Sequence, residues 1–209
     1  MLKVFVGGEG TNDIGTRGRV PMGDQPGVVE VLLRRVRATG WQVAAGRSWQ
    51  SIRKYRSGAA RTTADHADAH NVLGLVLHAY EEACELLAFT RDGDDDTLRE
   101  QEIRRVLDTI HSFGFASEFG YQLAIVGGIA KPKLEGWILC LLGVPHTDAM
   151  TRARVDHELA ALEVGAKSTE QYVAIAETRA LPTGDSSLCR WLADADQALR
   201  LLIEGTVPR

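Results

Sequence analysis

Short apolar runs of strand length alternate along this chain with segments whose apolar residues recur at helical spacing. That alternation restricts the fold more than any other feature. LKVFVG (2–7), WQVAA (41–45), CELLAFT (84–90) and YQLAIVGGI (121–129) read as strands. VVEVLLRRVRA (28–38), HADAHNVLGLVLHAYEEA (66–83) and TLREQEIRRVLDTIH (97–111) read as helices. The last of these places Leu98, Ile103, Val106, Leu107 and Ile110 on one side. LEGWILCLL (134–142) and the segments 168–178 and 187–203 are also helical, with Asp185 or Ser186 as N-cap of the final one. Strands alternating with helices of about three turns predict an α/β three-layer sandwich with a largely parallel central sheet. The expectation is a single domain over 1–209, with a core in 1–143 and a helical C-terminal extension in 144–209.

Composition narrows the function classes. A net charge of −4 over 209 residues gives no global basic field, so a polyanion site must be a local patch. The apolar stretch at the N-terminus is too short for a signal peptide, and no run has transmembrane length. Cys84, Cys140 and Cys189 lie far apart and form no CxxC, which excludes a zinc ribbon and suits a reduced, cytoplasmic protein.

In such sheets ligands gather beyond the C-terminal strand ends, and here two strands run into acids. The first ends at Glu9, in VFVGGEG. The third ends in RDGDDD, four acids within five positions from Asp92 to Asp96. Clustered carboxylates repel one another and are tolerated in water or around a cation. An EF-hand is excluded, because its sixth and twelfth positions hold Thr97 and Ile103. Asp95 and Asp96 read as solvated turn residues or helix caps. Asp92 and Asp94, joined by Glu9 from a neighbouring strand, form a donor set for magnesium, which takes oxygen ligands from one or two carboxylates plus water and phosphate. Such a site would suit phosphodiester chemistry.

Other constellations are weaker. Residues 7–27, with seven glycines and two prolines, read as a long loop without a Walker A or GxGxxG pattern. Residues 41–64 carry Arg47, Arg53, Lys54, Arg56 and Arg61, with Trp49 and Tyr55 interleaved and no acid. This is either a phosphate-guiding patch with aromatics for unpaired bases or an ordinary basic surface with Trp49 in the core. His66 and His70 lack the Glu of HExxH and read as a polar helix start. No GxSxG nucleophile motif is present.

A strand ending in Glu9-Gly10, a later strand ending in Asp92-x-Asp94, and the segment AKPKLEGWILCLLG (130–143) together resemble the Toprim domain of topoisomerases, primases and OLD-type nucleases. The third element is similar to the Pro-x-x-Glu-x-Trp segment of small stand-alone Toprim-like bacterial proteins. The resemblance covers most of 1–143. It implies Glu9 as metal ligand or general acid/base and Asp92 and Asp94 as ligands of magnesium or manganese. It further implies Asp13 as an added acid, Lys131 or Lys133 as the catalytic lysine, and Glu135 as a further ligand or a support of the sheet edge. The family pattern starts a helix soon after the glutamate. Here the loop is expected to continue to about Gly27, with Asp13 on irregular backbone. The implied function is a metal-dependent nuclease acting on DNA or RNA, in bacterial antiviral defence with an ATPase partner. A non-catalytic subunit that binds an ATPase or nucleic acid is the alternative.

Overall fold

The computed structural model describes residues 1–16, 25–52, 67–165 and 168–205. Four strands, β1 (Leu2–Gly8), β2 (Trp41–Ser48), β3 (Leu86–Asp92) and β4 (Ala124–Ala130), form one sheet in the order β2-β1-β3-β4. Every pairing is parallel. The helices are α1 (Thr11–Ile14), α2 (Val28–Val36), α3 (Ala67–Glu81), α4 (Thr97–Thr109), α5 (Phe115–Phe119), α6 (Leu134–Leu141), α7 (Arg152–Ala161), α8 (Thr169–Thr178) and α9 (Ser187–Glu204).

Period-two alternation assigns each strand residue to a face. Val4, Val6, Leu86, Ala88 and Val126 face one side and pack with α2, α6, α7, α8 and α9. Phe5, Leu87, Phe89 and Ile129 face the other and pack with α3, α4 and α5. The result is the expected α/β three-layer sandwich. Helices beyond residue 144 contribute Val155, Tyr172, Trp191 and Leu199 to the same apolar cluster as Val4 and Leu86.

The chain goes from β1 outward to β2, then crosses to the other side of β1 to build β3 and β4. The order therefore reverses between β1 and β3, the place beyond the C-terminal strand ends where ligands gather in such sheets. Glu9 follows β1 and Asp92 closes β3, so both stand at this point.

Several boundaries differ from the sequence reading. β3 begins at Leu86, because Cys84 N–H bonds back to Ala79 O and so finishes the exit of α3. β4 begins at Ala124, because Tyr121 belongs to an aromatic group with Tyr80, their ring centroids 5.0 Å apart. Leu98 is 59% exposed, so it is not part of the apolar side of α4. Asp96 caps α4, accepting from Leu98 N and Arg99 N. Ser186, not Asp185, caps α9 by accepting from Cys189 N.

Where α9 begins, the buried Ser187 hydroxyl accepts from Trp137 Nε1 (2.8 Å) and donates to Asp148 Oδ1 (2.9 Å). Ser187→Ala leaves a buried indole N–H without a partner. The expected loss is about 2 kcal/mol, read as a lower urea midpoint at unchanged slope.

Candidate metal and phosphodiester site

The segment after β1 is not a continuous loop. Thr11–Ile14 forms a one-turn helix two residues beyond Glu9, and it puts Asp13 on helical backbone. This corrects the expected irregular run. The turn is held by Asp13 itself, whose Oδ2 accepts from Gly10 N at 3.1 Å. Its Oδ1 accepts from Thr90 Oγ1 at 2.7 Å, tying α1 to β3. A Cβ on Gly8 would stand 2.2 Å from Asp13 Cβ, so only glycine lets α1 come this close to β1. Gly8→Ala is expected to push Asp13 out of its contact with Thr90 and to cost about 2 kcal/mol, measurable as a lowered melting temperature.

Asp92 is the last residue of β3. Its Oδ1 accepts from Leu134 N at 2.9 Å, at the first turn of α6, and its own N–H donates to Glu9 Oε1 at 3.3 Å. Glu135 follows on α6 and accepts from the buried Tyr172 hydroxyl of α8 at 3.4 Å. Asp13, Asp92 and Glu135 therefore come from three different elements and act on one another electrostatically. Burial pushes Asp13 up to about 7; the Thr90 and Gly10 hydrogen bonds oppose this, while Asp92 and Glu135 add to it. Burial pushes Asp92 up to about 6; the Leu134 N–H opposes this, while Glu135 and Asp94 add to it.

The other predicted acids are held by arginines. Glu9 pairs with Arg91, whose guanidinium lies over the Trp49 ring (5.3 Å). Arg91 Nε also bonds Asp68 Oδ1 (3.2 Å), and Asp68 Oδ2 accepts from Arg99 Nε (2.8 Å). Arg99 Nη1 in turn donates to Asp94 Oδ2 (2.7 Å). Arg152 Nη1 stands 2.8 Å from Asp94 Oδ1 as an ion pair, without hydrogen-bond geometry. An alternating chain of charges thus runs from Glu9 through Arg91, Asp68, Arg99 and Asp94 to Arg152.

The two candidate lysines separate. Lys133 is buried, with Nζ 4.0 Å from Glu135 and 2.5 Å from Asp156. Lys131 points away and pairs with Glu100 at 2.7 Å. Of the basic patch, Arg47 is exposed beside Gly7 near the C-terminal end of β2, on the sheet edge that carries the acids. Arg53, Lys54, Arg56 and Arg61 lie outside the described residues. Trp49 is 7% exposed and donates to Asp68, so it is a core residue and is not free to stack on a base.

Sequence reasoning missed Thr90, Arg91, Asp68, Arg99, Asp156 and Tyr172. Arg91 had a local signal, a cation inside a strand end otherwise made of acids. The others are joined to the site only by contacts distant in sequence.

Among the described residues no group of three His, Cys, Asp or Glu is placed to hold a metal ion. Magnesium does not require one, since it is commonly bound through one or two carboxylates, with water and phosphate completing its shell. The donor chemistry fits a hard cation: Asp13 and Asp92 are oxygen donors whose charges burial opposes, and a bound cation would favour their ionised forms. No described helix is long and apolar enough to cross a membrane. Neither a family model, nor a curated protein, nor a solved structure matches this chain.

Proposed function

We propose that the chain is a magnesium-dependent, Toprim-like phosphodiesterase that cleaves nucleic acid in the cytoplasm. One observation carries the reading: Asp13, Asp92 and Glu135 converge at the C-terminal edge of a parallel sheet, where its strand order reverses, with two of them buried against their own charge. Asp92 would hold the metal, with water and phosphate completing its shell and the charges of Asp13 and Glu135 nearby. The metal would supply charge for the attacking water and the leaving oxygen. Thr90 and Gly10 fix the Asp13 carboxylate, and Leu134 N–H fixes that of Asp92. Glu9, which accepts from the Asp92 backbone N–H, would accept a proton once Arg91 is drawn toward phosphate. Lys133 offers a buried positive charge beside Glu135 for the phosphate oxygens, and Arg47 a contact for the polymer backbone.

The test is incubation with supercoiled plasmid, single-stranded DNA and transfer RNA, in magnesium or manganese, beside Glu9→Ala and Asp92→Asn proteins. Cleavage that needs metal and is lost in both variants supports the reading. Equal cleavage by the variants would overturn it.

The closure of Glu9 and Asp94 by arginines favours a second reading, a non-catalytic subunit that acts with an ATPase partner. Absence of cleavage together with co-purification of an ATPase supports that one.

A further inference from the structure

We infer that β4 is a self-pairing edge, through which two copies of this chain join their sheets antiparallel. The inference is independent of the proposed chemistry. β4 ends the sheet, and its direction of bonding follows from its two ends. Ala124 N–H bonds to Glu85 O, and Ala130 O accepts from Gly93 N, so both residues turn their backbone groups toward β3. By alternation, Ile125, Gly127 and Ile129 turn theirs outward. Among the described residues none bonds to these outward groups.

Edge strands are usually protected by charge, proline or a bulge. The opposite edge, β2, has such protection: its register with β1 shifts between Val4 and Phe5, and it carries Arg47. AIVGGIA in β4 has no charge, no proline and no register shift. A cavity of about 210 Å³ opens along this edge between α4 and α9, with Gly127 and Gly128 at its floor.

The occupant follows from symmetry. Outward groups at 125, 127 and 129 are symmetric about Gly127. An antiparallel second copy would therefore set Gly127 against Gly127 and Ile125 against Ile129, satisfying all of these groups at once. The flanking helices agree. Both run against the direction of β4: Glu100 of α4 pairs with Lys131, and Lys131 N–H reaches Ser187 at the start of α9. Along the cavity α4 presents Arg104 and then Asp108, and α9 presents Arg190 and then Asp194. A two-fold axis through Gly127 brings Arg104 toward Asp108 of the second copy and Arg190 toward its Asp194. The surface is complementary to itself in hydrogen bonding and in charge.

Sedimentation equilibrium across a concentration series tests this. The wild type is expected to approach twice 22.8 kDa. Asp108→Arg, an exposed change, should raise the dissociation constant by about tenfold or more. Adding Arg104→Asp should restore it. Ile125→Pro, which deletes an outward N–H, should give a monomer with unchanged circular dichroism. A wild type that stays monomeric at about 100 µM would overturn the proposal and leave the edge to a strand of another protein. A dimer untouched by the Asp108→Arg and Arg104→Asp series would place the interface elsewhere and overturn it equally.

Discussion

Asp92→Asn is expected to lower magnesium-dependent cleavage by about a hundredfold or more, with the fold intact. Asparagine keeps a carbonyl oxygen where Asp92 Oδ1 accepts from Leu134 N, so the start of α6 stays in place. What disappears is the charge at the end of β3, beside Asp13 and Glu135. Initial rates at fixed substrate and varied magnesium separate the possibilities. The expected loss is one that excess metal recovers in part. A rate equal to wild type at every magnesium concentration would remove Asp92 from the site.

Asp13→Asn is expected to stabilise the metal-free protein near neutral pH and above. The carboxyl is 4% exposed and lies close to two other acids. Its ordinary value of 3.8 applies to the unfolded chain, while the folded chain holds the proton up to about 7. Between these values the native state binds more protons than the unfolded one, so wild-type stability falls as pH rises through this window and levels off above it. Asp92 adds a smaller effect of the same sign, ending near 6. Asparagine can accept from Gly10 N and donate to the Thr90 hydroxyl, keeping the local bonds without the charge. The gain at about pH 8 is on the order of 2 kcal/mol, or about 5 °C in melting temperature. The same variant should flatten the decline between the two pH limits. Magnesium should raise the wild-type melting temperature and leave that of Asp13→Asn less changed. A wild type whose stability rises from about pH 4 to 7 would contradict the buried, proton-holding state of Asp13.

The layered fold was legible because its strands carry period-two patterns and its long helices carry a period of 3.6, both set by local geometry. Shorter elements escaped. α7 buries only Val155 and Leu159, four residues apart, which is too little repetition to mark a helix. α1 is a single turn between glycines, and its stabilising contact to Thr90 is 77 residues away in sequence. The site was partly legible for a related reason. Acids at two strand ends converge in any parallel sheet that makes those strands neighbours, and β1 and β3 are neighbours. The pairing of Glu9 with Arg91, and of Asp94 with Arg99 and Arg152, depends on side-chain directions that residue order does not encode. Tyr172 reaches Glu135 from a segment that carries no motif, and only packing reveals the contact.

Asp92, with the carboxylates of Asp13 and Glu135 beside it, is proposed to hold a divalent cation. Calorimetric titration of metal-free protein with magnesium tests it most directly, with Asp92→Asn titrated beside it in the same buffer. Saturable binding to the wild type is expected, with proton release near pH 6.5 as Asp13 and Asp92 ionise, and affinity at least about tenfold weaker in the variant. No saturable binding, or equal binding by both proteins, would contradict it.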